Sequence, residues 1–151
     1  MLVSFFIGST VVLSQTREAI LVDPPGIIAR LLDSEEPPMV SVSLTDQATD
    51  GCWTNLGEAR QYATDTLHNL GFRTGDGGGF VFSVNVFSTR TGSGHCFGYL
   101  KVSLDAYVQG GFRRSLVNRT MIFAGERSSN IQVLDVIGEL GRAMRADSMK
   151  E

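Results

Sequence analysis

Hydrophobic and polar positions alternate along three stretches of this chain and follow a helical repeat along two others. In Met39–Leu44, Val40, Val42 and Leu44 fall on one side and Ser41 and Ser43 on the other. That period of two predicts a half-buried strand. Phe80–Thr89 repeats it with Phe80, Phe82, Val84 and Val86 on one face, and Cys96–Val108 with Cys96, Gly98, Leu100, Val102, Leu104, Ala106 and Val108. Thr120–Glu126 completes the set as a further strand. Gly92-Ser93-Gly94 suits a three-residue hairpin loop with Gly94 in the left-handed conformation. The resulting register pairs Phe82 with Leu104, Val84 with Val102, Val86 with Leu100 and Phe87 with Tyr99. A slip of one residue would mix the two faces, so this register is strongly specified.

Leu56, Ala59, Ala63, Leu67 and Leu70 carry helical spacing after Asn55, which resembles a capping pair with Glu58. Gly71 is placed to close that helix from C′. A second helix is expected from Asn130 as its cap, with Ile131, Leu134, Ile137, Leu140, Gly141 and Met144 on one stripe. Gly138 and Gly141 are expected to let it lie close against the sheet, and residues 147–151 to fray. Gly75–Gly79 and Gln109–Arg119 read as loops. From residue 39 onward the order is β-α-β-β-β-α. It predicts an α+β fold, a two-layer α/β sandwich whose small mixed sheet carries two helices on one face. The first helix joins two parallel strands by a crossover.

The amino-terminal third is less regular. Leu2–Leu13 is an apolar run of twelve residues broken by Ser4, Gly8, Ser9 and Thr10. It is too short to span a bilayer and suits the apolar segment of a signal peptide. Val12 and Ser14 are small enough to precede a cleavage site, although only the terminal amine supplies positive charge. A buried first strand is the other reading of this run. No cysteine follows it, which argues against a lipoprotein anchor. Glu18–Val22 suits a short strand, Gly26–Leu32 a short helix after Pro24-Pro25, and Ser34–Pro38 a linker. The expected organisation is a signal segment at 1–14, an irregular extension at 15–38 and one domain at 39–146.

Composition narrows the function classes. The 151 residues make one domain's worth of chain, with a net charge of −3 and no long basic run. A nucleic-acid partner is therefore not expected, and neither is a stable membrane span. No catalytic motif stands out. Gly75–Gly79 precedes a strand and lacks the Gly-Lys-Ser/Thr of a phosphate loop. No cofactor and no metal is expected: His95 beside Cys96 lacks the paired ligand spacing of a zinc site, and His68 suits the dipole at a helix end.

The two cysteines carry the sharpest expectation. In this topology the first helix starts at the upper edge of the sheet, beside Cys52. The hairpin preceding Cys96 lies at the same edge, and Cys96 faces the helices. A Cys52–Cys96 disulfide follows, worth about 3–4 kcal/mol by loop closure and requiring an oxidising compartment. Two unpaired buried thiols, and a Cys52 thiolate activated near the helix N-terminus, are the alternatives.

On the sheet face away from the helices, Phe87, Phe97, Tyr99 and Tyr107 alternate with Ser83, Asn85, Lys101, Ser103 and Asp105, with Val81 alongside. Aromatic side chains on a half-polar face mark a candidate partner-binding surface. Two structural explanations compete: residues 16–33 fold over it, or pairs such as Phe87–Tyr99 only stiffen the hairpin.

With this element order, its exported start and the cysteines of "GCWTNL…GHC", residues 39–146 resemble small exported α/β domains of the bacterial cell envelope. The resemblance implies a non-catalytic binding or assembly role, with a protein or envelope component or a second copy as partner and no cofactor. It implies a periplasmic or secreted location. The alternative is a small enzyme with a loop-edge pocket near Cys52, His95 and Asp50.

Overall fold

The computed structural model describes residues 20–150. The expected signal segment lies outside them. Nine elements follow in chain order: β1 (Leu21–Val22), α1 (Ile27–Leu32), β2 (Met39–Ala48), α2 (Leu56–Leu70), β3 (Arg73–Thr74), β4 (Phe80–Arg90), β5 (Cys96–Tyr107), β6 (Arg113–Glu126) and α3 (Asn130–Ser148). The strands form one mixed sheet in the order β1-β6-β5-β4-β2-β3. β2 runs parallel to β4, as a helix crossover requires. β4, β5 and β6 are antiparallel neighbours. The α+β two-layer sandwich is as expected, with α1 as a third helix.

The β4–β5 register places Phe82 against Leu104, Val84 against Val102, Val86 against Leu100 and Phe87 against Tyr99. Gly94 turns the hairpin at φ +85°. The period-two pattern then sends Phe82, Val84, Val86, Leu100, Val102 and Leu104 to one side. There they form a single core with Ala59, Ala63 and Leu67 of α2 and Val133, Val136, Ile137, Leu140 and Met144 of α3.

Several expectations are corrected. β6 begins at Arg113, inside the stretch expected as a loop. A bulge explains the missed signal: the register shifts between Leu104 and Asp105, so the neighbours Leu116 and Val117 are both buried and break the alternation. α3 starts after Ser129 rather than Asn130, and Ile131 is exposed while Val133 and Val136 fill the core. Gly138 and Gly141 face α2, not the sheet. A Cβ on Gly141 would meet Thr66 Cγ2 at 2.5 Å, and one on Gly138 would meet the Tyr62 hydroxyl at 2.9 Å.

The end of α3 is ordered to Ser148, because Asp147 is buried and holds α1. Its carboxylate accepts the Gly26 N–H at 2.7 Å and the Ile28 N–H at 3.0 Å. α1 lacks a side-chain cap of its own, so a residue 119 positions away satisfies its first donors. Burial pushes the Asp147 carboxyl upward, but these two bonds and the Lys150 ammonium outweigh it, and the net shift is downward. α1 thereby packs on α3, with Ile28 in the core.

Two measurements check this packing. Gly141→Ala is expected to destabilise the fold by about 1 kcal/mol, since overpacking outweighs the helix-propensity gain; adding Thr66→Ser, which removes the clashing methyl, restores the urea midpoint. Asp147→Asn is expected to cost about 1–3 kcal/mol at neutral pH by weakening the bonds to two buried donors. The native carboxyl has the lower folded-state pKa, so its contribution is complete above the unfolded value of 3.8 and fades as pH falls through the folded value. The gap between wild type and variant should therefore close in acid.

Candidate functional site

At the upper rim, three loops converge on the end of the sheet. Cys52 and Cys96 are both buried and joined by a disulfide, with α-carbons 5.8 Å apart. Cys52 lies in the loop leading to α2, and Cys96 opens β5 on the helix side, as the topology required. The Cys52 sulfur is thus bonded, so it offers no nucleophile to an enzyme at this rim. His95 is exposed, with Nδ1 3.3 Å from the Ser93 hydroxyl. Among the described residues no three His, Cys, Asp or Glu side chains gather as a metal site.

Polar contacts brace the disulfide. The Cys52 carbonyl accepts the Ser129 N–H at 2.7 Å and the Ser129 hydroxyl at 2.9 Å. Asn130 accepts the Thr54 N–H and donates to the Thr54 hydroxyl. Arg90 donates to the carbonyls of Asp50, Gly51, Gly94 and Arg127, at 2.7–3.3 Å. One guanidinium thus ties all three loops, which suits its rigid fork of donors. Nothing in the sequence around Arg90 signals that role, since its acceptors are backbone groups from distant segments. Asn55 accepts from Trp53 Nε1 and donates to Glu58, so the expected capping pair is a side-chain bond rather than a backbone cap. Trp53 is buried in the core beside the cysteines.

The second sheet face begins just below this rim. Phe87 and Tyr99 stack there, ring centroids 4.7 Å apart at an interplanar angle of 15°. Next to them, Tyr99 is 42% exposed, Phe97 48% and Ile122 of β6 75%. Tyr99 and Ile122 are cross-strand partners. These side chains line an open groove of about 380 Å³ with Gly98, Thr120, Phe123 and Ala124. Gly98 lets β5 approach β4 closely here, because a Cβ on it would strike the Phe87 carbonyl oxygen at 2.0 Å. Ile122 was missed in the sequence because Met121-Ile122-Phe123-Ala124 is a continuous apolar run that does not say which residue faces outward; the partners on β5 decide it.

Tyr107 does not join this group. It lies eight residues down β5 from Tyr99, about 26 Å away at strand spacing, where Arg113 covers its ring. Between the two ends the face is buried at Val81, Ser83, Ser103 and Asp105, with Ser103 donating to Asp105. Of the 16–33 segment expected as a cover, residues 16–19 lie outside the described residues; within 20–33, β1 pairs with β6 and α1 packs on α3. No described helix is long and apolar enough to cross a membrane.

The sheet, the helices on one face and the braced rim define a small disulfide-stapled α/β domain. No family model matches the chain, and no curated protein does. Among solved structures it is similar to the PelC dodecamer from Paraburkholderia phytofirmans. A leucine-to-methionine variant of PelC aligns with a TM-score of 0.47 at 17% identity, over 73% of this chain and 88% of that one. A second PelC structure aligns with a TM-score of 0.41 at 18% identity, over 75% and 89%. Likeness at this level carries no argument about function.

Removing the disulfide tests its weight in the fold. Cys52→Ala/Cys96→Ala is expected to lose about 3–4 kcal/mol in urea unfolding, the closure entropy of a bridge with a sequence separation of 44. Reductant on the wild type should lower the midpoint similarly and leave the double variant unmoved.

Proposed function

We propose that this chain is a non-catalytic binding or assembly module of the bacterial cell envelope, exported through residues 1–14 and working in the periplasm or outside the cell. Its partner is a protein or envelope component, gripped by the upper half of the second sheet face. The observation that carries this reading is the exposed apolar surface of Phe97, Tyr99 and Ile122, held rigid by the Phe87–Tyr99 stack. A preformed apolar patch gives a partner side chain a place to sit at little ordering cost. The disulfide supports the compartment, because such bonds persist where thiols are oxidised. The rim enzyme near Cys52 and His95 has no comparable support, since its thiol is in the bridge.

The test is a cross-linking pull-down from the native host with wild type and Phe97→Ser/Ile122→Ser. These exposed positions leave the stack intact, so the urea midpoint should hardly move. Recovery of the partner, or of a second copy, is expected to fall at least about tenfold, as for loss of two interface anchors. Unchanged recovery and unchanged self-association would reduce the face to a structural element.

A further inference from the structure

We propose that the hairpin tip between β5 and β6 is an interfacial anchor for an anionic lipid bilayer. The tip projects from the end of the sheet opposite the disulfide rim. It carries Phe112, 74% exposed, with Tyr107 at 46% and Val108 at 44%. Val108 and Phe112 lie in the turn itself, and Tyr107 is the last residue of β5 beside it. The turn is held in shape: the Val108 N–H donates to the Phe112 carbonyl at 2.9 Å and the Gly111 N–H to the Val108 carbonyl at 3.3 Å. Gly110 and Gly111, both at positive φ, allow the reversal. The apolar side chains are therefore presented, not collapsed.

Charge selects the occupant. Arg113 and Arg114 follow Phe112 directly, one to two residues behind the apolar tip, or about 3–7 Å along the strand. Arg113 stacks 5.1 Å above the Tyr107 ring and donates to its hydroxyl at 3.0 Å. Arg114 meets Asp23 at 3.7 Å, but both side chains are mostly exposed and the pair is weak. The chain as a whole is acidic, yet two guanidinium groups stand directly behind this turn. An apolar tip, then the paired Tyr107 and Arg113 one residue behind it, then Arg114 behind them, match acyl chains and the interface with its headgroup phosphates. Arginine also suits phosphate oxygens by its paired donors. This surface is separate from the upper patch, and the proposal stands without the partner-binding reading above.

Co-sedimentation of the full oxidised chain with vesicles tests it, using seven parts phosphatidylcholine to three parts phosphatidylglycerol against phosphatidylcholine alone. Binding to the anionic vesicles is expected, weakening as salt rises. Phe112→Ser should weaken it at least about tenfold. Arg113→Ala/Arg114→Ala should do so by a similar factor and remove the salt dependence. Phe97→Ser/Ile122→Ser should bind as the wild type does. The proposal falls if the wild type does not sediment, if it sediments equally with neutral vesicles, or if Phe112→Ser binds unchanged. It falls also if only the Phe97→Ser/Ile122→Ser variant loses binding, or if Phe112→Ser instead dissociates an oligomer, which would assign the tip to a second copy.

Discussion

The register of the β4–β5 hairpin is the constraint on which the rest of this structure depends. Eleven residue pairs, from Phe80–Ala106 to Arg90–Cys96, are set by one turn at Gly94. Because side chains alternate strictly along a strand, that turn decides which residues meet the helices and which take the opposite face. Shifted by one against a fixed β4, β5 would turn Tyr99 toward the helices and Leu100 away from them, and each face would mix apolar core residues with the outer set. The same register brings Cys96 to the helix side of the upper rim, where Cys52 waits. Disulfide, core and aromatic face are three consequences of one ladder.

Around that ladder, stability is spread through contacts between distant parts of the chain. Asp147 near the carboxyl end completes α1 near the amino end. Ser129 holds the Cys52 loop, and Arg90 gathers three loops at once. α2 and α3 approach closely because Gly141 leaves room for Thr66. Each is a polar or steric fit worth a few kcal/mol at most, the same order as the net stability of a domain this size. The rim is consequently rigid, and the surfaces it leaves open are presented by fixed backbone.

Those open surfaces divide the molecule by chemistry. The upper half of the second face is apolar and shallow, suited to a side chain or strand of a partner. The lower hairpin pairs apolar side chains with arginine, suited to a boundary between acyl chains and phosphate. Phe97 and Tyr107 belong to the same strand and the same face, yet they serve different ends of it. An envelope module holding a membrane at one end and a partner at the other would need this separation.

Strand alternation and helical spacing were local properties, so the order of elements, the hairpin register and the Cys52–Cys96 bond were legible in the sequence alone. Each depends on near neighbours or on a single topological step. The first half of β6, the facing of Gly138 and Gly141, the burial of Asp147, the brace at Arg90 and the place of Ile122 in the patch were not legible. A bulge erased the period at Leu116–Val117, and the other four are decided by partners far away in the chain. Periodicity tells a residue which way to face; only the packed structure tells it what it meets.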